Sequence, residues 1–174
     1  MPLSVLNLDI LGNDIADSPL VFETGDADGN LFPTDRGPIL INWLKEPTVY
    51  IQHQSFNEDN SPFSGDPRQA LISIIDRYKQ RDLLPVVSTE LEFCLTNLSG
   101  LPTPANSPAT GKPMVGQEIL SIQELDSLDG YFNDLYNACE VMNISAQAAI
   151  TESGLGQFEI NLNHGNAVKI ADDT

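Results

Sequence analysis

Positive charge is scarce in this chain. Lys and Arg together number 8 against 25 Asp and Glu, leaving a net charge of −17 over 174 residues. A nucleic-acid or anionic-membrane partner is therefore not expected, because phosphate contacts need Lys and Arg. Cysteine is nearly absent. Cys94 and Cys139 cannot build a disulfide framework or a Cys-rich zinc site. They read as two buried thiols in a reducing compartment, which makes the expected location cytoplasmic. No run approaches the roughly 18 apolar residues of a membrane span. The first residues lack the basic and apolar stretches of a signal peptide. No Ser/His/Asp or Cys/His nucleophile arrangement can be argued. His53 and His164 read as surface residues, and Gly154 and Gly156 lack the third glycine of a dinucleotide fingerprint.

Apolar residues are plentiful enough, at 41%, to exclude wholesale disorder. A chain of this length buries roughly 70% of its unfolded surface. Residues 4–11 (SVLNLDIL) are apolar and predict a strand; residues 12–38, rich in Gly, Asp and Pro, predict turns and short extended pieces. Asp26, Asp28 and Asn30 fail as a calcium loop, because Leu31 stands where the turn glycine belongs. Residues 48–54 predict a strand.

Asp66-Pro67 opens a helix as N-cap and first-turn proline. Ala70, Leu71, Ile74, Ile75 and Tyr78 then share one face through Arg81. Residues 86–95 (VVSTELEFCL) alternate as a strand, with Ser88, Glu90, Glu92 and Cys94 on one side. Residues 96–118, with four prolines and three glycines, predict a long loop. Residues 122–142 predict a helix whose stripe Leu125, Leu128, Phe132, Leu135, Cys139 and Met142 is core. Strands follow at 145–151 and 156–163. Asn166 then caps a helix of barely two turns, and that pattern looks cut rather than finished.

Four carboxylates stand out. Glu90 and Glu92 share a strand face with Cα atoms about 6.6 Å apart. Glu159 lies on the polar face of a second strand, and Glu152 precedes it across a Gly-x-Gly turn. If the two strands pair, all four converge on one sheet face with no Lys or Arg among them. Such carboxylates repel unless a cation joins them, and hard oxygen ligands suit Mg²⁺ or Mn²⁺. The plainer alternative is a solvated acidic face, or a non-catalytic acidic module that binds a divalent cation.

These segments resemble a known family. VVSTELEFCL resembles the E-x-E-F strand of the glutamine synthetase superfamily, and AAITESGLGQFEINLNHGNAV resembles its second metal segment. LDILGN, GDPRQAL and SIQELDSLDGYFNDL follow in the matching order. Within the superfamily the likeness is greatest to the γ-glutamylpolyamine synthetases. The resemblance implies an α+β fold: part of an N-terminal β-grasp domain with a linker over residues 1–64, then over residues 65–174 the first part of a creatine-kinase-like antiparallel sheet with packed helices.

It also implies that Glu92, Glu152 and Glu159 ligate the metal on the glutamate side, while Glu90 serves the second metal at the nucleotide phosphates. The implied reaction uses ATP to phosphorylate the γ-carboxylate of glutamate, and ammonia or a (poly)amine then displaces phosphate. Leu120 aligns with a tyrosine that lines the amine site in many relatives, which weakens the case for ammonia. Homo-oligomeric rings with sites at subunit junctions are implied for the whole protein. The resemblance covers well under half of a typical member. It places the aspartate latch before Met1, and the remaining metal ligands and the arginines beyond Thr174. On that ground the 174 residues alone are expected not to turn over.

Overall fold

A computed structural model describes residues 1–19, 25–98, 101–116 and 119–174. The chain divides into two compact units, Met1–Ile39 with Val49–Pro85, and Leu40–Thr48 with Val86–Thr174. The fold is α+β.

The first unit opens differently from the expected strand at 4–11. Leu3–Leu6 forms a 3₁₀ turn. Past it, Asp9 Oδ1 accepts from the Leu11 and Asn13 backbone N–H groups at 2.8 and 2.9 Å. This side chain offers the backbone a local alternative to sheet pairing, and it wins over an apolar run of only eight residues. Leu3 is buried against Gly29, where an added Cβ would lie 2.4 Å from Leu3 Cδ2 and 2.6 Å from the Phe56 carbonyl oxygen. Only glycine fits there.

The expected turns before residue 38 give way to a long strand, β1 (Asn30–Ile41), which pairs with β2 (Thr48–Phe56) as a two-stranded sheet. Pro33 and Gly37 lie within β1. They disguise it in the sequence and are tolerated because a two-stranded sheet is all edge. Helix α1 (Pro67–Lys79) starts where Asp66 predicts. Asp66 Oδ1 accepts from Arg68 N at 2.8 Å, and Oδ2 accepts from Ser55 N at 2.6 Å, so one buried cap ties the helix to β2. Of the expected apolar face, Ile75 is buried, whereas Ile74 and Tyr78 are exposed.

The second unit is built on a three-stranded antiparallel sheet in the order β4 (Glu90–Cys94), β6 (Gln157–Leu162), β5 (Ala146–Thr151). The single strand expected over 86–95 is split. β3 (Val86–Val87) pairs instead with β7 (Gly165–Asn166), and β4 starts anew at Glu90. Between them the Ser88 hydroxyl donates to the Leu162 carbonyl at 2.7 Å, and Leu162 N donates to the Thr89 carbonyl at 3.0 Å.

The helix expected over 122–142 is likewise two, α2 (Ile122–Ser127) and α3 (Asp129–Val141), which meet at a non-helical Leu128 (φ −108°). Their apolar stripe survives the break. Phe132 is buried with Met114, Phe158, Ile160 and Leu162, and Leu125, Leu128 and Leu135 pack against that cluster. Phe132 and Phe158 meet edge to face, with centroids 5.5 Å apart.

The proline-rich loop holds no helix or strand among its described residues. It is pinned by isolated bridges at Thr96–Pro104 and Asn106–Pro113, which deliver Met114 to the core. Helix α4 (Ala167–Asp173) closes the unit. Asn166 Oδ1 accepts from Val168 N and Lys169 N, and Lys169 pairs with the buried Asp173. The reading of both cysteines as buried is corrected: Cys94 is exposed and Cys139 half-buried, both free thiols. Cys94 points to the side of the sheet away from the apolar cluster. No helix among the described residues is long and apolar enough to cross a membrane.

Candidate functional site

Strand alternation and register together assemble the polar face of the three-stranded sheet. Across β4 and β6, Glu92 lies opposite Glu159, Glu90 opposite Asn161, and Cys94 opposite Gln157. Directly opposed residues have Cα atoms roughly 4.5–5.5 Å apart. Across β6 and β5, Glu159 is also opposite Ile150. Just past β5, Glu152 N donates to the Gln157 carbonyl at 2.9 Å, which extends the ladder by one row. By the period-two rule Glu90, Glu92, Glu159 and Glu152 therefore share one face. The opposite face carries Phe93, Phe158 and Ile160 into the core.

Glu159 is central and buried, only 7% exposed, because β6 is flanked on both sides. Glu90 and Glu92 are exposed on the edge strand, and Glu152 is half-buried. Among the described residues, none of the four forms an ion pair with Lys or Arg. Neutral amides hold two of them instead. Gln157 Nε2 donates to Glu92 Oε2 at 2.8 Å, and Asn161 Nδ2 donates to Glu159 Oε1 at 2.9 Å. The Gln157 amide is itself set by the turn, since its Oε1 accepts from Gly154 N at 2.8 Å. A side chain on Gly154 would collide with that oxygen at 2.4 Å. Gly156 takes φ +61°, and a Cβ there would lie 3.0 Å from the Leu95 carbonyl oxygen, so the second glycine is needed for conformation and for approach. The Gly-x-Gly turn thus acts through Gln157 on Glu92.

These amides were in view in the sequence as the neighbours of Glu159 on β6's polar face. Their roles were not, because nothing local says which carboxylate an amide will reach. The carboxyl oxygens suit Mg²⁺ or Mn²⁺ by type. A buried carboxylate facing another, with no cation beside it, is an arrangement that a bound cation would relieve. The side chains are aligned on one face rather than gathered at one point. Among the described residues no three His, Cys, Asp or Glu side chains stand closely enough to hold an ion. His53 and His164 are exposed and take no part; His53 Nδ1 lies 2.9 Å from its own strand's Ile51 carbonyl.

A cavity of about 440 Å³ opens at the β5–β6 turn. Of the four carboxylates, Glu152 alone lines it, so the cavity adjoins the acidic face without containing it.

Comparison with known proteins bears on this arrangement. Residues 64–174 match the family model described as the glutamine synthetase catalytic domain. The chain is 32% identical over 184 aligned residues to gamma-glutamylputrescine synthetase PuuA of Escherichia coli (strain K12), and the alignment covers 99% of this chain and 38% of that protein. Among solved structures, a novel glutamine synthase homologue superposes with a TM-score of 0.76 at 20% identity, covering 99% of this chain and 38% of that one. GmaS without ligand superposes with a TM-score of 0.72 at 21% identity, covering 97% of this chain and 38% of that one. The chain thus spans about two-fifths of the curated relative it matches. A model match over residues 64–174, more than half the chain, together with the shared fold, places this protein in the glutamine synthetase family.

Proposed function

We propose that this chain carries the carboxylate half of the metal site of an ATP-dependent ligase. That ligase joins the γ-carboxylate of glutamate to an amine or ammonia through γ-glutamyl phosphate. The observation that carries the reading is Glu159, buried opposite Glu92 across β4 and β6 and, among the described residues, without an ion pair to Lys or Arg. In this reading Glu92, Glu152 and Glu159 hold one Mg²⁺ or Mn²⁺ on the glutamate side, and Glu90 serves a second on the phosphate side. Bound there, the ions would offset the negative oxygens of phosphoryl transfer.

The chain's own residues prepare the ligands. Gln157 orients Glu92, Asn161 orients Glu159, and the Gly154 turn fixes Gln157. Such partners of ligating side chains commonly govern metal affinity. The likeness to gamma-glutamylputrescine synthetase PuuA supports an aliphatic amine over ammonia as acceptor. Residues 1–64 are assigned to a β-grasp region and residues 65–174 to the catalytic domain. A cytoplasmic homo-oligomer with sites at subunit junctions completes the reading, and the net charge of −17 speaks against nucleic acid as a partner.

Turnover requires cationic groups for the phosphates. The chain, spanning 38% of its curated relative, is proposed to bind metal without catalysing the reaction alone. A second reading, an acidic cation-binding module without catalysis, has one observation in its favour: sheet, core and carboxylate face all lie within Leu40–Thr48 and Val86–Thr174.

Titration with Mn²⁺, followed by calorimetry, tests the metal site. Wild type is expected to bind, and Glu92→Ala and Glu159→Ala each weaken binding. Equal binding by the double variant overturns the metal reading. In the complete protein either substitution is expected to abolish ATP- and glutamate-dependent phosphate release, and retained release overturns the ligase role.

A further inference from the structure

The proline-rich loop returns to the sheet by way of a glycine pressed on the β5–β6 turn. Gly116 takes φ +69°, and a Cβ added there would lie 2.6 Å from the Gly154 carbonyl carbon and oxygen and 2.7 Å from Leu155 N. Those are backbone atoms, so no change of rotamer could make room. Gly111, earlier in the same loop, takes nearly the same φ of +67°, yet a Cβ there would meet nothing within 4 Å. The left-handed conformation alone accounts for Gly111. At Gly116 it is joined by a close approach of loop to turn.

The contact is held from both ends. Two residues before it, Met114 is buried in the core cluster, and its N–H donates to the Ala105 carbonyl at 3.0 Å. Four residues after it, Leu120 N donates to the Thr151 carbonyl at 2.9 Å. Ser121 N donates to Thr151 Oγ1 at 2.6 Å. Thr151 is 3% exposed and ends β5, directly before Glu152. Leu120 stands at φ +60°, a conformation that leucine rarely adopts and that the surrounding bonds must impose.

The turn beneath Gly116 is the one that sets Gln157. Gly154 N donates to Gln157 Oε1 at 2.8 Å, and the Gly154 carbonyl accepts from Gln157 N at 3.2 Å. Gln157 Nε2 in turn donates to Glu92 Oε2 at 2.8 Å. A run of contacts therefore leads from Gly116, through the peptide between Gly154 and Leu155 and the Gln157 amide, to a carboxylate of the sheet's polar face.

We propose that Gly116 is a positioning residue for the metal site: by backing the Gly154 peptide it fixes the Gln157 amide, and through it the Glu92 carboxylate. The inference rests on the metal-site reading and deepens it by making the loop part of the site's support. Gly116 has no ligating side chain of its own. Displacing the peptide it backs takes the donor from Gln157 Oε1 and frees Glu92 to leave its orientation.

The test is Mn²⁺ titration calorimetry on the 174-residue chain, run as a double-mutant cycle. Gln157→Ala is expected to weaken Mn²⁺ binding about tenfold, and Gly116→Ala about threefold to tenfold. In the Gln157→Ala background, Gly116→Ala should change the affinity by less than about twofold, because the path it acts through is gone. Gly111→Ala should lower the melting temperature, since it carries the same left-handed strain, and leave Mn²⁺ affinity as in wild type. Should Gly116→Ala not fold, wild type supplies the measurement. Its Gly116 amide resonance should shift with Mg²⁺, and the same resonance should hold its place in Gln157→Ala, because coupling between two sites is reciprocal. Equal Mn²⁺ affinity in Gly116→Ala and wild type, an equal loss in Gly111→Ala, a loss that adds in full to that of Gln157→Ala, or a Gly116 resonance unmoved by Mg²⁺ overturns the proposal. Absence of Mn²⁺ binding by wild type overturns the metal reading instead.

Discussion

The two faces of the β4–β6–β5 sheet are made by the same strands and are finished to different degrees. One face is closed. Phe158 and Ile160 sit on Phe132 and Met114, and Phe93 packs at the edge. The other face sets Glu92 against Glu159, with Glu90 and Glu152 on the same side of the sheet and, among the described residues, amide partners for Glu92 and Glu159. Hydrophobic packing is short-ranged and needs only what one compact unit contains. In the proposed metal-site reading, charge compensation on the carboxylate face is left to the bound ion. A chain can therefore fold around a site whose electrostatics it does not complete.

Substitutions on the two faces should differ in sign as well as size. The largest effect belongs to the closed face. Phe158→Ala should cost about 3–5 kcal/mol in denaturant unfolding, by lost burial and a cavity beneath β6. A cost under about 1 kcal/mol would mean that the apolar face is not the one holding the sheet. Next is the turn that joins the two faces. Gly156→Ala puts a Cβ at φ +61° against the Leu95 carbonyl. It should cost about 1–2 kcal/mol and disturb the amide grip on Glu92, so metal affinity should fall with stability.

On the open face, Glu159→Gln should leave the metal-free chain as stable or more stable by roughly 1 kcal/mol, because a buried charge without a cation is removed. In the proposed metal-site reading Mn²⁺ should raise the melting temperature of wild type, and the same variant should lose that rise. A large loss of metal-free stability would break the contrast. The smallest effect compares two thiols. Cys94 is exposed on the carboxylate face, while burial on α3 pushes the Cys139 thiol above its usual range. Iodoacetamide near neutral pH should label Cys94 first, with Cys139 catching up as pH rises and its thiolate forms. Peptide mass mapping reads the order.

Much of this was legible where the signal is local. Asp66-Pro67 marked a helix start because an N-cap and a first-turn proline act within one turn. The alternation of ELEFC and QFEINL marked two strands and assigned each carboxylate a side. Legibility failed where a local device competed with hydropathy. Asp9 captured its own backbone and turned the apolar run 4–11 aside. Pro33 and Gly37 hid β1 because a strand in a two-stranded sheet can carry residues that a central strand cannot. The breaks at Ser88-Thr89 and Leu128 left the periodicity intact, so periodicity could not report them.

The order of residues by itself determined the parity of each side chain along its strand, the caps of α1 and α4, and the excess of negative charge. Those are properties of neighbours in the chain. Which strand lies beside which, and hence that Glu159 faces Glu92 rather than Glu90, was decided only in three dimensions. Register is settled by contacts across dozens of residues. A slip of one place would have turned β6's carboxylate to the core and Phe158 to water.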